Sequence, residues 1–138
     1  MIAKREGNIL NVASVAGFLP GPKMAVYYAT KAFVISFSEA LANELDGTGV
    51  KVTALCPGPV QSEFQQVAYH ETSDVTARRG VPTSAETAEF GYAAVKRGQL
   101  IVIPGLSNRI LPFLVRVLPR SWVVKMVRSY QERQAQFR

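Results

Sequence analysis

The sequence predicts an α/β domain with parallel strands and two further helices at its C-terminal end. Three features carry that prediction: a short apolar run over residues 8–14, helical periodicity beginning at Val26, and a second short apolar run over residues 50–55. A strand, a long helix and another strand form a βαβ unit, whose crossover connection favours parallel pairing. Parallel strands are buried on both faces, so helices are expected above and below the sheet.

The first strand is "NILNVAS", Asn8 to Ser14, bounded by Gly7 and Gly17 and followed by the chain-breaking "GFLPGP". From Val26 the apolar positions Ala29, Phe33, Phe37, Ala40, Leu41 and Leu45 recur every three or four residues. That spacing predicts a helix of about 20 residues with this face buried, ended by Asp46-Gly47. "VKVTALCPGP" supplies the second strand, Val50 to Leu55, stopped by Pro57-Gly58.

Residues 61–82 mix polar, charged and small side chains and read as an excursion with one short helix. In open α/β sheets such excursions lie beyond the strands' C-terminal ends, where ligands bind. Thr83 followed by Glu86 fits a capping box and starts a helix reaching to about Arg97. "LIVIP", Leu100 to Pro104, is a third strand. The remaining segment, from Ser107 onward, reads as two basic amphipathic helices separated near Pro119. Residues 1–106 thus form the domain and 107–138 a basic helical tail.

Composition narrows the function classes. The 138 residues are 48% hydrophobic, enough for the modest core of one domain. Residues 1–95 carry seven Lys/Arg against nine Asp/Glu, whereas residues 96–138 carry nine against one, so the net charge of +6 belongs to the tail. Arg109, Arg116 and Lys125 interrupt the only region apolar enough to be considered as a membrane span. A single cysteine, Cys56, and an N-terminus without a long apolar run lead to the expectation of a reducing, cytoplasmic compartment. The basic charges meet no nucleic-acid recognition motif, so no nucleic-acid partner is expected. Trp122, Met126 and Tyr130 recur at helical spacing beside Lys125, Arg128 and Arg133. Two readings apply to them: a helix lying on an anionic membrane surface, or, as the favoured reading, packing on the domain or over a substrate pocket.

The chemistry centres on "AVYYATKAF", which places Tyr27 and Lys31 four residues apart and on one helix face. A phenol with a reference pKa of about 10 is a poor base at neutral pH, and a neighbouring ammonium favours its ionised form. Standing alone, such a pair is a weak signal that a solvated helix face explains better, because the spacing recurs by chance. Ser14 changes the weighing, because it lies at the C-terminal end of the preceding strand, where its hydroxyl could meet the same substrate oxygen. Tyr28 is the rival of Tyr27, but only Tyr27 has the four-residue spacing to Lys31.

These residues carry a resemblance. "NVASVAG", "YYATK" and "PGPVQSEF" occur in order at matching spacing, and Asn8 to Phe64 resembles the catalytic half of a short-chain dehydrogenase/reductase. The resemblance implies the C-terminal half of a doubly wound, Rossmann-like fold and an NAD- or NADP-dependent oxidoreductase acting on an alcohol or carbonyl. It implies that Tyr27 exchanges the proton at the substrate oxygen, that Lys31 assists it and holds the nicotinamide ribose, and that Ser14 orients the substrate. It further implies that Pro57, Gly58 and Val60 carry backbone groups to the carboxamide, with Ser62 where the family often has threonine. A homo-oligomer formed through the long helix is expected on the same ground. Apolar residues in segment 61–82 and in the tail permit a lipid-like or steroid-like substrate without requiring one.

The chain departs from the family pattern on its N-terminal side. Only 13 residues precede Ser14, so the Gly-rich turn and the family's catalytic asparagine have no counterpart, and Gly47-x-Gly49 is only a turn. The expectation is a truncated or wrongly started reading of a longer enzyme that, alone, aggregates, self-associates or lacks activity. The alternative is a catalytically inactive short form acting as an interaction module. His70 is expected to be a loop histidine and Cys56 a packing residue, with no metal site. Phe64 and Tyr69 are candidates for the substrate mouth.

Overall fold

The structure is a computed structural model that describes residues 1–62 and 80–136, with side chains described to residue 133. Three parallel strands lie in the order β1 (Gly7–Val12), β2 (Val50–Leu55) and β3 (Ile101–Val102). The β1–β2 register runs from Gly7 opposite Val50 to Val12 opposite Leu55. Helix α1 (Ala25–Glu44) is the crossover between them. Helix α2 (Ser84–Lys96) precedes β3, and α3 (Leu106–Val117) and α4 (Arg120–Gln136) form the tail.

Alternation along β2 distributes its side chains to the two faces. Ala54, with Ala13 and Cys56, packs against Ile35 of α1, while Leu55 packs with Ala94 and Phe90 of α2 and with Val102 of β3. The helices therefore cover opposite faces, as a parallel sheet requires. Leu45, Val50 and Val52 close the N-terminal end of the sheet. A fourth cluster joins Ala16 and Tyr28 to Val115, Val123 and Val127, so both tail helices are packed onto the domain.

The buried face of α1 differs from the expected one. Tyr28, Ile35 and Ser38 are buried, with Leu45 buried just past the helix, whereas Ala29 and Ala40 are exposed and Phe33 and Phe37 are 67% and 47% exposed. The physical reason is that α1 is apolar on more than one side, and polar anchors select the face. Asn11 of β1 donates to the buried Ser38 Oγ at 3.0 Å, and Lys31 Nζ donates to the Val12 carbonyl at 3.0 Å. Phe33 and Phe37 instead stack on each other, ring centroids 5.8 Å apart.

Element ends differ by small amounts for identifiable reasons. Ala13 N–H still donates to the Leu55 carbonyl at 2.8 Å, but the chain then enters a 3-10 turn, Val15–Phe18, so Ser14 lies just past β1. Strand β3 is shorter than "LIVIP", because Pro104 has no N–H to pair and Gly105 turns the chain with φ +83°. The capping box of α2 forms, with Glu86 N–H donating to Thr83 Oγ1 at 3.2 Å and Thr83 N–H to the Glu86 carboxylate at 2.7 Å. The break between α3 and α4 falls at Leu118-Pro119, as expected. Residues 63–79 of the excursion, with Phe64, Tyr69 and His70, lie outside the described residues, while its two ends are joined by a parallel bridge between Gln61 and Thr83.

Candidate active site

The end of β1, the first turns of α1 and the loop after β2 converge because parallel strands start and stop in register. Ser14 is extended, φ −170° and ψ 158°, and its Oγ accepts the Ala16 N–H at 3.1 Å as the cap of the 3-10 turn. The same hydroxyl donates to the Pro57 carbonyl at 3.4 Å, a long bond. Val15 N–H donates to that carbonyl at 3.0 Å, tying the serine segment to the loop after β2. The serine is 8% exposed, so its hydroxyl is fixed by the backbone on both sides.

Glycine is required where the serine turn crosses α1. A Cβ on Gly17 would fall 2.7 Å from the Lys31 carbonyl oxygen, which a real side chain never approaches so closely. Gly17 thus sets the distance between the serine turn and the helix that carries Tyr27 and Lys31. No side chain caps the N-terminus of α1 at Met24. Its first turn is held from outside instead: Gln131 of α4 donates through Nε2 to the Tyr28 Oη at 2.9 Å, both residues being buried. Lys23, at φ +69°, pairs with Glu132 of α4 at 3.7 Å.

Tyr27 and Tyr28 are separated by this packing. Tyr28 is buried in the cluster with the tail, whereas Tyr27 is half-buried and meets it edge to face, centroids 5.9 Å apart. The Lys31 ammonium lies 5.8 Å from the Tyr27 ring centroid, anchored on the Val12 carbonyl. Ser14, Tyr27 and Lys31 all face one cavity of about 840 Å³, and Pro57, Gly58, Val60 and Ser62 line it as well. Every residue singled out for catalysis or cofactor contact therefore borders the same space.

The walls also contain residues from the tail, of which Asn108, Leu111 and Val127 carried no signal in the sequence. Asn108 of α3 donates to the Pro104 carbonyl at 2.8 Å and stands against Gly58, where a Cβ would strike its amide. Leu111 of α3 and Met126, Val127 and Tyr130 of α4 close the cavity from the tail side. Met126 and Tyr130 thus serve the pocket, in line with the favoured reading of that stripe, but Trp122 does not, remaining 65% exposed. Gln131 is 103 residues from Tyr28 in sequence, and only the fold relates them.

Cys56 is fully buried, and burial pushes its thiol up to about 12, with the Glu39 carboxylate adding to the effect. It is a packing residue and an unsuitable nucleophile. Among the described residues, no group of His, Cys, Asp or Glu is arranged to hold a metal ion. Among the same residues, no helix is long and apolar enough to cross a membrane.

The sequence profile described as short chain dehydrogenase matches residues 1–73, slightly more than half of the chain. The very-long-chain 3-oxoacyl-CoA reductase of Rattus norvegicus is 34% identical over 113 residues, which cover 81% of this chain and 36% of the relative. A short-chain dehydrogenase from Sphingobium yanoikuyae, solved in complex with NADPH, superposes with a TM-score of 0.65 at 33% identity, covering 79% of this chain and 42% of its own. A short-chain dehydrogenase/reductase from Burkholderia phymatum, solved with NAD, has a TM-score of 0.66 at 25% identity, with 84% and 48% covered. The chain spans less than half the length of the curated relatives it matches.

Proposed function

Because this chain belongs to the short-chain dehydrogenase/reductase family, we propose that it carries the proton-transfer centre of an NAD(P)-dependent oxidoreductase acting on an alcohol or carbonyl. The observation that supports this most directly is the convergence of Ser14, Tyr27 and Lys31 on one cavity. The relatives solved with NADPH and with NAD support a nicotinamide dinucleotide without selecting between the two.

The residues present fit the nicotinamide end of such a group. Lys31 brings three N–H donors to the cavity, one already used on Val12, leaving others for ribose hydroxyls. In the loop after β2, Pro57 and Pro59 have no N–H, and the Pro57 carbonyl is already bonded twice, to Val15 and Ser14. Among the described residues of that loop, the backbone N–H groups of Gly58 and Val60 are left to a carboxamide. When bound, the dinucleotide gives or accepts the hydride; the chain supplies position and the proton. Tyr27 moves the proton at its phenolic oxygen, and the Lys31 charge stabilises the oxygen while it is anionic. Ser14 exchanges its long bond to Pro57 for one to the substrate oxygen, fixing it beside Tyr27.

An apolar wall from α3 and α4 suits a lipid-like carbonyl compound, and the name of the rat relative supports that class. The test is turnover of the protein purified at its native mass, with NADH or NADPH and aliphatic ketones of increasing length. Tyr27→Phe is expected to lower kcat by about 10² to 10⁴ while nucleotide binding persists; equal turnover by this variant would refute the assignment.

A second reading is an inactive short form that acts as an interaction module. It is favoured by the stacked, exposed Phe33 and Phe37 and by Leu10 and Val12, 39% and 56% exposed on β1. Homo-oligomerisation through α1 would use the same surface. The mass of the native protein in its source cells separates the readings: a band near twice this chain supports the enzyme, and a band at 15.1 kDa supports the module.

A further inference from the structure

Helix α3 has two apolar faces, and among the described residues the domain covers one of them. At 100° per residue, Asn108, Leu111 and Val115 share the inward face; Val115 is 6% exposed and joins the core cluster with Tyr28. Leu106, Ile110, Phe113 and Val117 fall on the opposite side and are 79%, 56%, 69% and 70% exposed. Four large apolar side chains in a row along one helix are more than the scattered exposure of an ordinary surface.

Along the sequence on either side of this stripe the charges are of one sign. No acidic residue occurs between Glu89 and Glu132, while Arg109 and Arg116 lie along one flank of the stripe and Arg120 opens α4, all three exposed. A cavity of about 400 Å³ is lined by Arg116 and Arg120 together with Phe18, Pro112, Val115 and Leu118, so it is cationic as well as apolar. A second copy of this face would oppose cation to cation. A surface of negative headgroups over hydrocarbon matches both halves of the pattern.

We propose that the outward face of α3, Leu106, Ile110, Phe113 and Val117 with the flanking Arg109, Arg116 and Arg120, docks the protein on an anionic lipid bilayer. The helix lies in the interface with its apolar stripe among the acyl chains and the guanidinium groups at the headgroups. The stripe differs from the Trp122, Met126 and Tyr130 series, of which two members face the cavity. The proposal is independent of the oxidoreductase reading, and its test does not use turnover.

The experiment is flotation of the full chain with vesicles of phosphatidylcholine alone or with about a third phosphatidylserine. Co-flotation with the phosphatidylserine vesicles is expected, lost when salt is raised from about 0.1 M to about 0.5 M. Arg116→Gln with Arg120→Gln should weaken binding about thirtyfold, about fivefold for each charge near the surface. Leu106→Ser with Phe113→Ser should abolish it; both side chains are exposed, and circular dichroism checks that the fold is kept. Failure of the unaltered chain to float, or undiminished flotation of the Leu106→Ser/Phe113→Ser variant, overturns the proposal. So does a stripe variant that changes only the size of the protein in sedimentation, which would make a second copy the occupant.

Discussion

At Cys56 burial decides reactivity. With its thiol pushed up to about 12, roughly one molecule in ten thousand carries a thiolate at about pH 8, and that sulfur is enclosed. Alkylation by iodoacetamide is therefore expected only through unfolding, at a rate that rises with denaturant; fast labelling of the native chain would contradict the packing. The Gln131–Tyr28 bond acts on the same scale, tying the tail to the residue next to Tyr27. Gln131→Leu leaves the buried phenol without that donor and should cost about 1–2 kcal/mol. Urea unfolding measures the loss, and a variant as stable as the parent would show that the bond holds nothing.

Element by element, the caps behave differently. The start of α2 is closed by its own residues, since Thr83 and Glu86 satisfy each other's backbone N–H groups. Thr83→Ala should cost about 1 kcal/mol in thermal or chemical unfolding. The Glu86 carboxyl is held below the ordinary carboxylate range by the Thr83 backbone N–H, then by its hydroxyl. A lowered folded pKa means that the stabilisation is fully present above the ordinary value, near 4.3, and fades as pH falls through the lower folded value. The difference in Tm between the parent and Glu86→Ala should accordingly shrink between about pH 7 and about pH 3; a constant difference would place the effect elsewhere.

The start of α1 depends on distant parts of the chain. Its first turn has no side-chain cap and is positioned by the Gly17 crossing, by Tyr28 in the tail cluster and by Lys31 on β1. Shortening Ile35, which is 6% exposed against Ala13, Ala54 and Cys56, to alanine should cost about 2–4 kcal/mol. Equilibrium unfolding checks this, and a loss below about 1 kcal/mol would mean that α1 is not anchored through that contact.

For the whole molecule, the unpaired surfaces matter most. Strand β1 pairs with β2 on one side only among the described residues, and Leu10 and Val12 are exposed on it. Strand edges and apolar patches of this kind promote association. Phe33→Ser with Phe37→Ser is expected to reduce self-association in sedimentation velocity without lowering helix content; unchanged association would direct attention to the β1 edge.

The sequence by itself determined the α/β class, the strand at Val50–Leu55, the capped start of α2, the break before Pro119 and the grouping of Ser14, Tyr27 and Lys31. These are matters of local pattern: apolar runs between glycines and prolines, a four-residue helical step, and a hydroxyl at a strand's end. Which side of α1 is buried was decided only in three dimensions, because Phe33 and Ile35 are equally apolar and the Asn11–Ser38 and Lys31–Val12 bonds choose between them. The tail's two roles were decided there as well. Gln131 meets Tyr28 across 103 residues, and Met126 and Tyr130 of the stripe line the cavity while Trp122 does not, a division that the helical spacing they share does not encode.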